Sequence, residues 1–306
     1  MTDIFHSTIK QSLQKRDAAK VGSWIHVVDP SEEELTQLSK EFNLELDLLR
    51  DASDIYESPR VEQEDGVAYI FTRYCFTEGK DIATEPLLVV YTKENVLTIM
   101  RHQSPVLDQL LNNNSIVTTQ RTKLLLQILG AVNYSFVRDT HLMSKQILGI
   151  RSKLSKADIR NEYFIEFIDL EEKLNEYLSS LQSQAVVFRS LLSGKFLPLY
   201  ENDEDLIEDL TLGTAELIDL IKSRLKTISN IRDAYSTIMA NNLNRIFKRL
   251  TSIGIFMAIP TVTASLYGMN VPLPLEGNPN AFWIIAAIVS ALTFGAIMLF
   301  RRLKWL

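Results

Sequence analysis

Two stretches of this chain carry no charged residue and are long enough to cross the roughly 30 Å hydrocarbon core of a bilayer as helices. The first runs from Leu250 to Tyr267 and the second from Ala281 to Phe300. Everything before Lys248 is densely charged and has the pattern of a soluble body. Within that body the period of the apolar positions changes along the chain. Trp24-Ile25-His26-Val27-Val28 is a short β-rich run closed by Asp29-Pro30. Ser31 with Glu34 has the spacing of a capping box and predicts a helix to about Glu41. A second helix is expected over Leu44–Ser53, and Pro59 breaks the chain. Val67–Thr77 and Pro86–Met100 are rich in Val, Ile, Tyr and Phe, with turn-like breaks at Glu78-Gly79-Lys80 and Lys93-Glu94-Asn95. They predict strands of one sheet, with Leu87–Tyr91 and Val96–Met100 as a hairpin. Residues before Ser23 are polar and are expected to be helical or loosely ordered.

After Asn114 the strand signal ends. Thr119–Lys156 has helical spacing (Leu124, Ile128, Val132, Phe136, Met143), and Asp158–Ser193 repeats it, ending at Gly194 and Pro198. From Asp203 onward Ile207, Leu210, Leu217, Ile221, Leu225, Ile228, Ile231, Tyr235 and Ile238 recur at close to 3.5 residues, the period of a helix with helical partners. Nothing stops this helix before the first apolar stretch. At about 65 residues it would be near 100 Å long, which implies a stalk and an oligomer. The expected organisation is an α/β domain over 1–114, a helical hairpin over 115–202, and a stalk helix over 203–249. A first span over 250–267 continues the stalk, followed by a loop over 268–280, a second span over 281–300 and a basic tail over 301–306.

Charge orients the hairpin. Lys248 and Arg249 precede the first span, Arg301, Arg302 and Lys304 follow the second, and the loop has no Lys or Arg. Basic flanks favour the cytoplasm, which places both termini inside a plasma or inner membrane. Met1–Ser12 has no long apolar core and does not read as a leader. The 306 residues carry a net charge of −6 and one cysteine, Cys75, so no intrachain disulfide forms. The net charge and the lack of a basic stripe argue against nucleic acid. Gly149, Gly194 and Gly213 are isolated, so no nucleotide loop is expected. No Ser-His-Asp or Cys-His pattern points to an enzyme. His6, His26, His102 and His141 are too scattered for a zinc site.

One face of the helix entering the bilayer carries Asn244, Phe247, Thr251, Gly254, Ala258, Thr261 and Ser265, at intervals of three and four. All but Phe247 are small or polar. Such a stripe serves either helix packing or the lining of a pore. A small, strongly hydrated divalent cation gives up its waters reluctantly, so amide and hydroxyl oxygens that bond to its water shell would suit its passage better than a dense chelating site. Neither span contains Asp or Glu. The acidic run Glu201, Asp203, Glu204, Asp205, Glu208 and Asp209 sits where a helix starts. It compensates the helix dipole or attracts cations. Arg301, Arg302 and Lys304 are membrane anchors or a basic collar.

Tyr235-Ser236, Asn242, Asn244, Lys248, Leu250-Thr251, Pro260-Thr261 and above all Tyr267-Gly268-Met269-Asn270 resemble, in order and spacing, the signature of the CorA family of magnesium channels. The tail Arg301–Leu306, Trp24-Ile25-His26 and Pro59-Arg60-Val61-Glu62 are further landmarks, so the resemblance covers most of the chain. It implies a homopentameric funnel with the first spans lining the pore. Gly268, Met269 and Asn270 would form the selectivity filter. Asn244, Thr251, Gly254, Ala258, Thr261 and Ser265 would line the path, with Phe247 and Leu250 at an apolar constriction. Asp51 and Asp209 would bind regulatory Mg2+ between subunits and close the pore, and Asp233 would sit at its mouth. The implied cargo is Mg2+, with Co2+ or Ni2+ also admitted. The family often has methionine where this chain has Phe247 and Ala258. The outer loop of this chain has a single acid, Glu276, between Pro274 and Asn280. The alternatives are a zinc-transporting member of the same superfamily, against which Met269 speaks, and a non-conducting coiled scaffold anchored by a membrane hairpin.

Overall fold

A computed structural model of the chain describes residues 2–78, 81–112, 116–155, 162–275, 277–303 and 305. By its internal contacts the chain divides into two units, Met1–Ser229 and Asn230–Leu306.

The first unit is built on a seven-stranded mixed sheet. Its strands are β1 (Thr2–Thr8), β2 (Gln11–Arg16), β3 (Ser23–Val28), β4 (Arg60–Glu64), β5 (Val67–Glu78), β6 (Asp81–Tyr91) and β7 (Val96–Met100), in the order β2-β1-β3-β7-β6-β5-β4. β3 and β7 pair in parallel, Ile25 opposite Leu97, and every other pairing is antiparallel. The central strands are buried on both faces, which is why β7 reads Val-Leu-Thr-Ile-Met without polar alternation. The predicted hairpin is present as β6–β7, with Leu87 opposite Met100 and Tyr91 opposite Val96.

One face of the sheet packs on α1 (Glu32–Phe42) and α2 (Leu46–Asp51). Leu35, Leu38, Leu44 and Leu49 meet Ile25, Val27, Tyr69, Phe71, Leu88, Val90, Leu97 and Ile99. The capping box closes as expected: Glu34 N–H donates to Ser31 Oγ at 3.2 Å and Ser31 N–H to Glu34 Oε2 at 2.9 Å. α3 (Pro105–Leu111) was not foreseen.

The reading of residues before Ser23 as helical or loosely ordered is corrected: they form β1 and β2. β2 is a polar edge strand with five of its six residues exposed, so no apolar period marks it. Backbone pairing alone recruits it, and Ser7 ties β1 down by donating its hydroxyl to Ile116 O at 2.7 Å.

α4 (Arg121–Ser155) and α5 (Glu162–Leu192) pack on each other and on β5 and β6. Phe136 and Tyr177 meet edge-on with centroids 4.9 Å apart. Glu176 of α5 accepts from the N–H and hydroxyl of Thr84 at 2.7 and 2.6 Å, locking α5 to β6. Cys75 is buried beside Ser135 and Tyr177, and burial pushes its thiol up to about 12. α6 (Glu201–Tyr267) is one helix of 67 residues that begins in this unit. There it packs on α4, with Ile207, Leu217, Ile221 and Ile228 buried and Arg224 Nε donating to Ser144 Oγ at 2.9 Å.

His26 carries a pH consequence. Trp24 Nε1–H donates to Thr98 Oγ1 at 2.9 Å, and the Thr98 hydroxyl faces His26 Nδ1 at 2.8 Å, so its proton goes to an unprotonated Nδ1. Burial lowers the imidazole from 6.5 to about 4, opposed by Asp108 and Asp3. The unfolded chain therefore binds this proton first. Stability from this site is full above about pH 6.5 and is lost progressively as the pH falls to about 4, on the order of 3 kcal/mol in all. Denaturant midpoints measured from pH 7 to pH 4.5 should fall, and His26→Gln should flatten the fall. Equal slopes in the two proteins would contradict the assignment.

Candidate pore helix and its surroundings

The second unit holds the end of α6 and α7 (Ala281–Arg302), the two helices of the described residues that are long and apolar enough to cross a membrane. On α6 the less exposed positions Ser252, Phe256, Ile259 and Thr263 recur at intervals of four, three and four. Phe256 from this face meets Phe300 of α7 edge-on with centroids 5.4 Å apart. At 100° per residue, the stripe of Asn244, Phe247, Thr251, Gly254, Ala258, Thr261 and Ser265 is centred roughly 140° from that face. All seven residues, and Leu250 at the stripe's margin, are exposed on the single chain. A helix that spends one face on its own hairpin partner leaves this one for something else.

Three hydroxyls in the apolar part of α6 turn inward to the backbone. Thr261 donates to Met257 O at 2.7 Å, Thr263 to Ile259 O at 2.9 Å and Ser252 to Lys248 O at 2.7 Å. The helix continues through Pro260, which has no N–H to offer the Phe256 carbonyl. With its proton committed, the Thr261 oxygen presents lone pairs outward. That is an acceptor surface, the kind a water shell around a cation needs, since such waters point their hydrogens away from the ion.

α6 ends at Tyr267. Gly268 N–H donates to Ala264 O at 3.0 Å and Met269 N–H to Leu266 O at 3.2 Å, so the helical turn closes under the loop. A Cβ at Gly268 would stand 3.3 Å from Ala264 O, tight enough to force a shift. Asn270 follows on the surface, and Tyr267 Oη reaches Pro274 O at 3.5 Å. Glu276 and Lys304 lie outside the described residues. Arg301 and Arg302 form the last turn of α7, where cations suit the helix dipole.

Asp51, at the end of α2, accepts from Arg60 Nη2 at 2.8 Å. Arg60 also pairs with Glu57 and Glu62, and its guanidinium lies 4.0 Å from the Phe71 ring centroid. Asp209 and Asp233 are exposed on α6. Among the described residues no three His, Cys, Asp or Glu side chains are grouped to hold a metal within one chain. A site using Asp51 and Asp209 would therefore need residues from a second copy. The hub at Arg60 was missed from sequence, although Pro59-Arg60 was recognised as a landmark. Nothing in residue spacing pairs Arg60 with Asp51 across a loop.

Comparison with known proteins agrees with this architecture. The family described as "CorA-like Mg2+ transporter protein" matches residues 19–302. The cobalt/magnesium transport protein CorA of Methanocaldococcus jannaschii is 29% identical over 296 residues, covering 92% of this chain and 91% of that one. The complete structure of the CorA magnesium transporter from Methanocaldococcus jannaschii superposes with a TM-score of 0.89 at 25% identity, over 100% of this chain and 99% of that one. The cytoplasmic domain of ZntB from Vibrio parahaemolyticus, at 9% identity and a TM-score of 0.65 over 78% of this chain and 98% of that one, shares the fold. An α/β body, a single long helix running into an apolar stretch and a second apolar helix are thus held in common along nearly the whole length, and with the family match over residues 19–302 this chain belongs to the CorA family.

Proposed function

We propose that this chain is one subunit of a homopentameric channel that passes Mg2+, and with it Co2+ or Ni2+, into the cell. The observation that carries the reading is the exposed stripe on α6, turned away from α7 and ending at Gly268-Met269-Asn270. Five such stripes around an axis would enclose a path of amide and hydroxyl acceptors, with Asn270 at the outer ring and Asn244 at the inner end. Phe247 and Leu250 would narrow it. The ion travels with most of its waters, because no carboxylate on either span strips them. Inward movement needs no fuel: a double charge gains about 4–5 kcal/mol per 100 mV, inside negative. The basic flanks favour a cytoplasmic α/β body with both termini on the same side.

Closure by magnesium belongs to the same reading. Asp51 on one subunit and Asp209 on its neighbour offer hard carboxylate oxygens to a hydrated divalent ion. Arg60 already neutralises part of the charge around Asp51. The regulatory ion therefore competes with a tethered cation, which favours binding at millimolar rather than trace magnesium. Asp233 adds an acid where α6 approaches the membrane.

Liposomes holding the purified protein test the function directly. Magnesium should enter under an inside-negative potential, and zinc should compete weakly. Tight vesicles with verified insertion and no flux would favour a membrane-anchored scaffold. Preferential zinc flux would favour the zinc-moving branch.

A further inference from the structure

Two backbone bonds close the end of α7. Leu303 N–H donates to Leu299 O at 3.0 Å, and Trp305 N–H donates to Phe300 O, also at 3.0 Å. The Trp305 ring then meets Phe300 edge-on, with centroids 5.4 Å apart and planes at 79°. Phe300 in turn meets Phe256 of α6. Trp305 also touches α6 directly: the Lys248 ammonium lies 5.8 Å from its ring centroid. Lys248 and Phe256 are about two turns apart on α6. One indole from the chain's tail thus joins α6 at two levels, directly through Lys248 and through Phe300 to Phe256.

We infer that Trp305 is a clasp that fixes the basic-flanked end of the first span against α7, and so a positioning residue for the constriction at Phe247 and Leu250. The inference rests on the channel reading above. Lys248 directly follows Phe247 and precedes Leu250 by two residues, so all three turn together as part of one rigid helix. A rotation or tilt of α6 that moved Phe247 and Leu250 off the pore axis would have to carry the tail with it or break the Lys248–Trp305 contact. Either way the tail contributes to the balance between open and closed. A cation over an indole is worth more where water is scarce, as at the edge of a bilayer. The contact also gives the tail a use that headgroup anchoring by tryptophan does not.

The experiment compares wild type, Trp305→Ala, Trp305→Phe, Lys248→Gln and the Trp305→Ala/Lys248→Gln double variant. Magnesium flux in liposomes is read against internal magnesium, and melting temperature is read in detergent. Both single losses should shift the concentration of half-closure by about three- to tenfold, and in the same direction. The double variant should shift no further than the larger single, Trp305→Phe should stay near wild type, and the cobalt-to-magnesium competition ratio should not move. The melting shifts should likewise fail to add. Additive shifts in both readouts, or closure at the wild-type concentration in Trp305→Ala, would overturn the clasp. Non-additive melting shifts among the variants, with no ion flux in the wild type, would keep the contact and defeat the channel reading instead.

Discussion

Asn270→Ala is expected to lower magnesium uptake by about a hundredfold or more while leaving the proposed oligomer assembled. The expectation follows from what the ion offers at the mouth of the pore. Magnesium carries a shell of waters that it does not readily release, so the proposed outer ring would recognise those waters rather than the metal. Only an acceptor oxygen at the right radius bonds to them, and the Asn270 amide is the side-chain acceptor that directly follows the Gly268-Met269 turn. Alanine keeps the backbone and removes that acceptor from every subunit at once. Folding is spared because Asn270 is exposed on the loop, outside α6 and α7. Uptake by proteoliposomes alongside size-exclusion chromatography reads both halves of the claim. Uptake at the wild-type rate would remove Asn270 from the filter.

The double variant Asp51→Ala/Asp209→Ala is expected to need about tenfold more magnesium to close. Each substitution removes a hard oxygen donor from the proposed contact between subunits. The local fold tolerates the change. Asp51 is 42% exposed, and Arg60 retains Glu57 and Glu62 when it goes. A surface pair of this kind contributes under about 1 kcal/mol to stability. Loss of closure with an unchanged melting temperature therefore points to ion binding, not to unfolding. Flux measured at stepped internal magnesium gives the closing concentration. If the double variant closed where wild type does, the sensor would lie elsewhere.

The parts of the fold that bury a periodic face were legible in the sequence. α4, α5 and the long α6 follow from apolar spacing because each has to cover a stripe, and the β6–β7 hairpin follows from continuous Val, Ile and Leu around Lys93-Glu94-Asn95. β1, β2 and β4 were not legible. They are half-exposed strands near the sheet edges, held by ladder hydrogen bonds that leave no mark on side-chain choice. β6 begins five residues before the expected Pro86, which it accommodates opposite Arg73. The parallel β3–β7 pairing joins segments some seventy residues apart and has no local signature. The candidate pore stripe was legible for the same reason as the helices: period three and four on one face. Charge networks were not. Arg60 with Asp51, and Lys248 with Trp305, depend on where loops and tails return, and that is set by the packing of the whole unit.

The buried thiol at position 75 has a practical corollary. It is the sole sulfhydryl of the chain, enclosed beside Ser135 and Tyr177 and protonated at any ordinary pH. Maleimide and methanethiosulfonate reagents act on accessible thiolate, so the native protein behaves towards them as though it had no cysteine at all. A reporter thiol placed along α6 or in the Gly268–Asn280 loop would be modified alone. Accessibility scanning and spin labelling during gating can therefore start from the unaltered sequence.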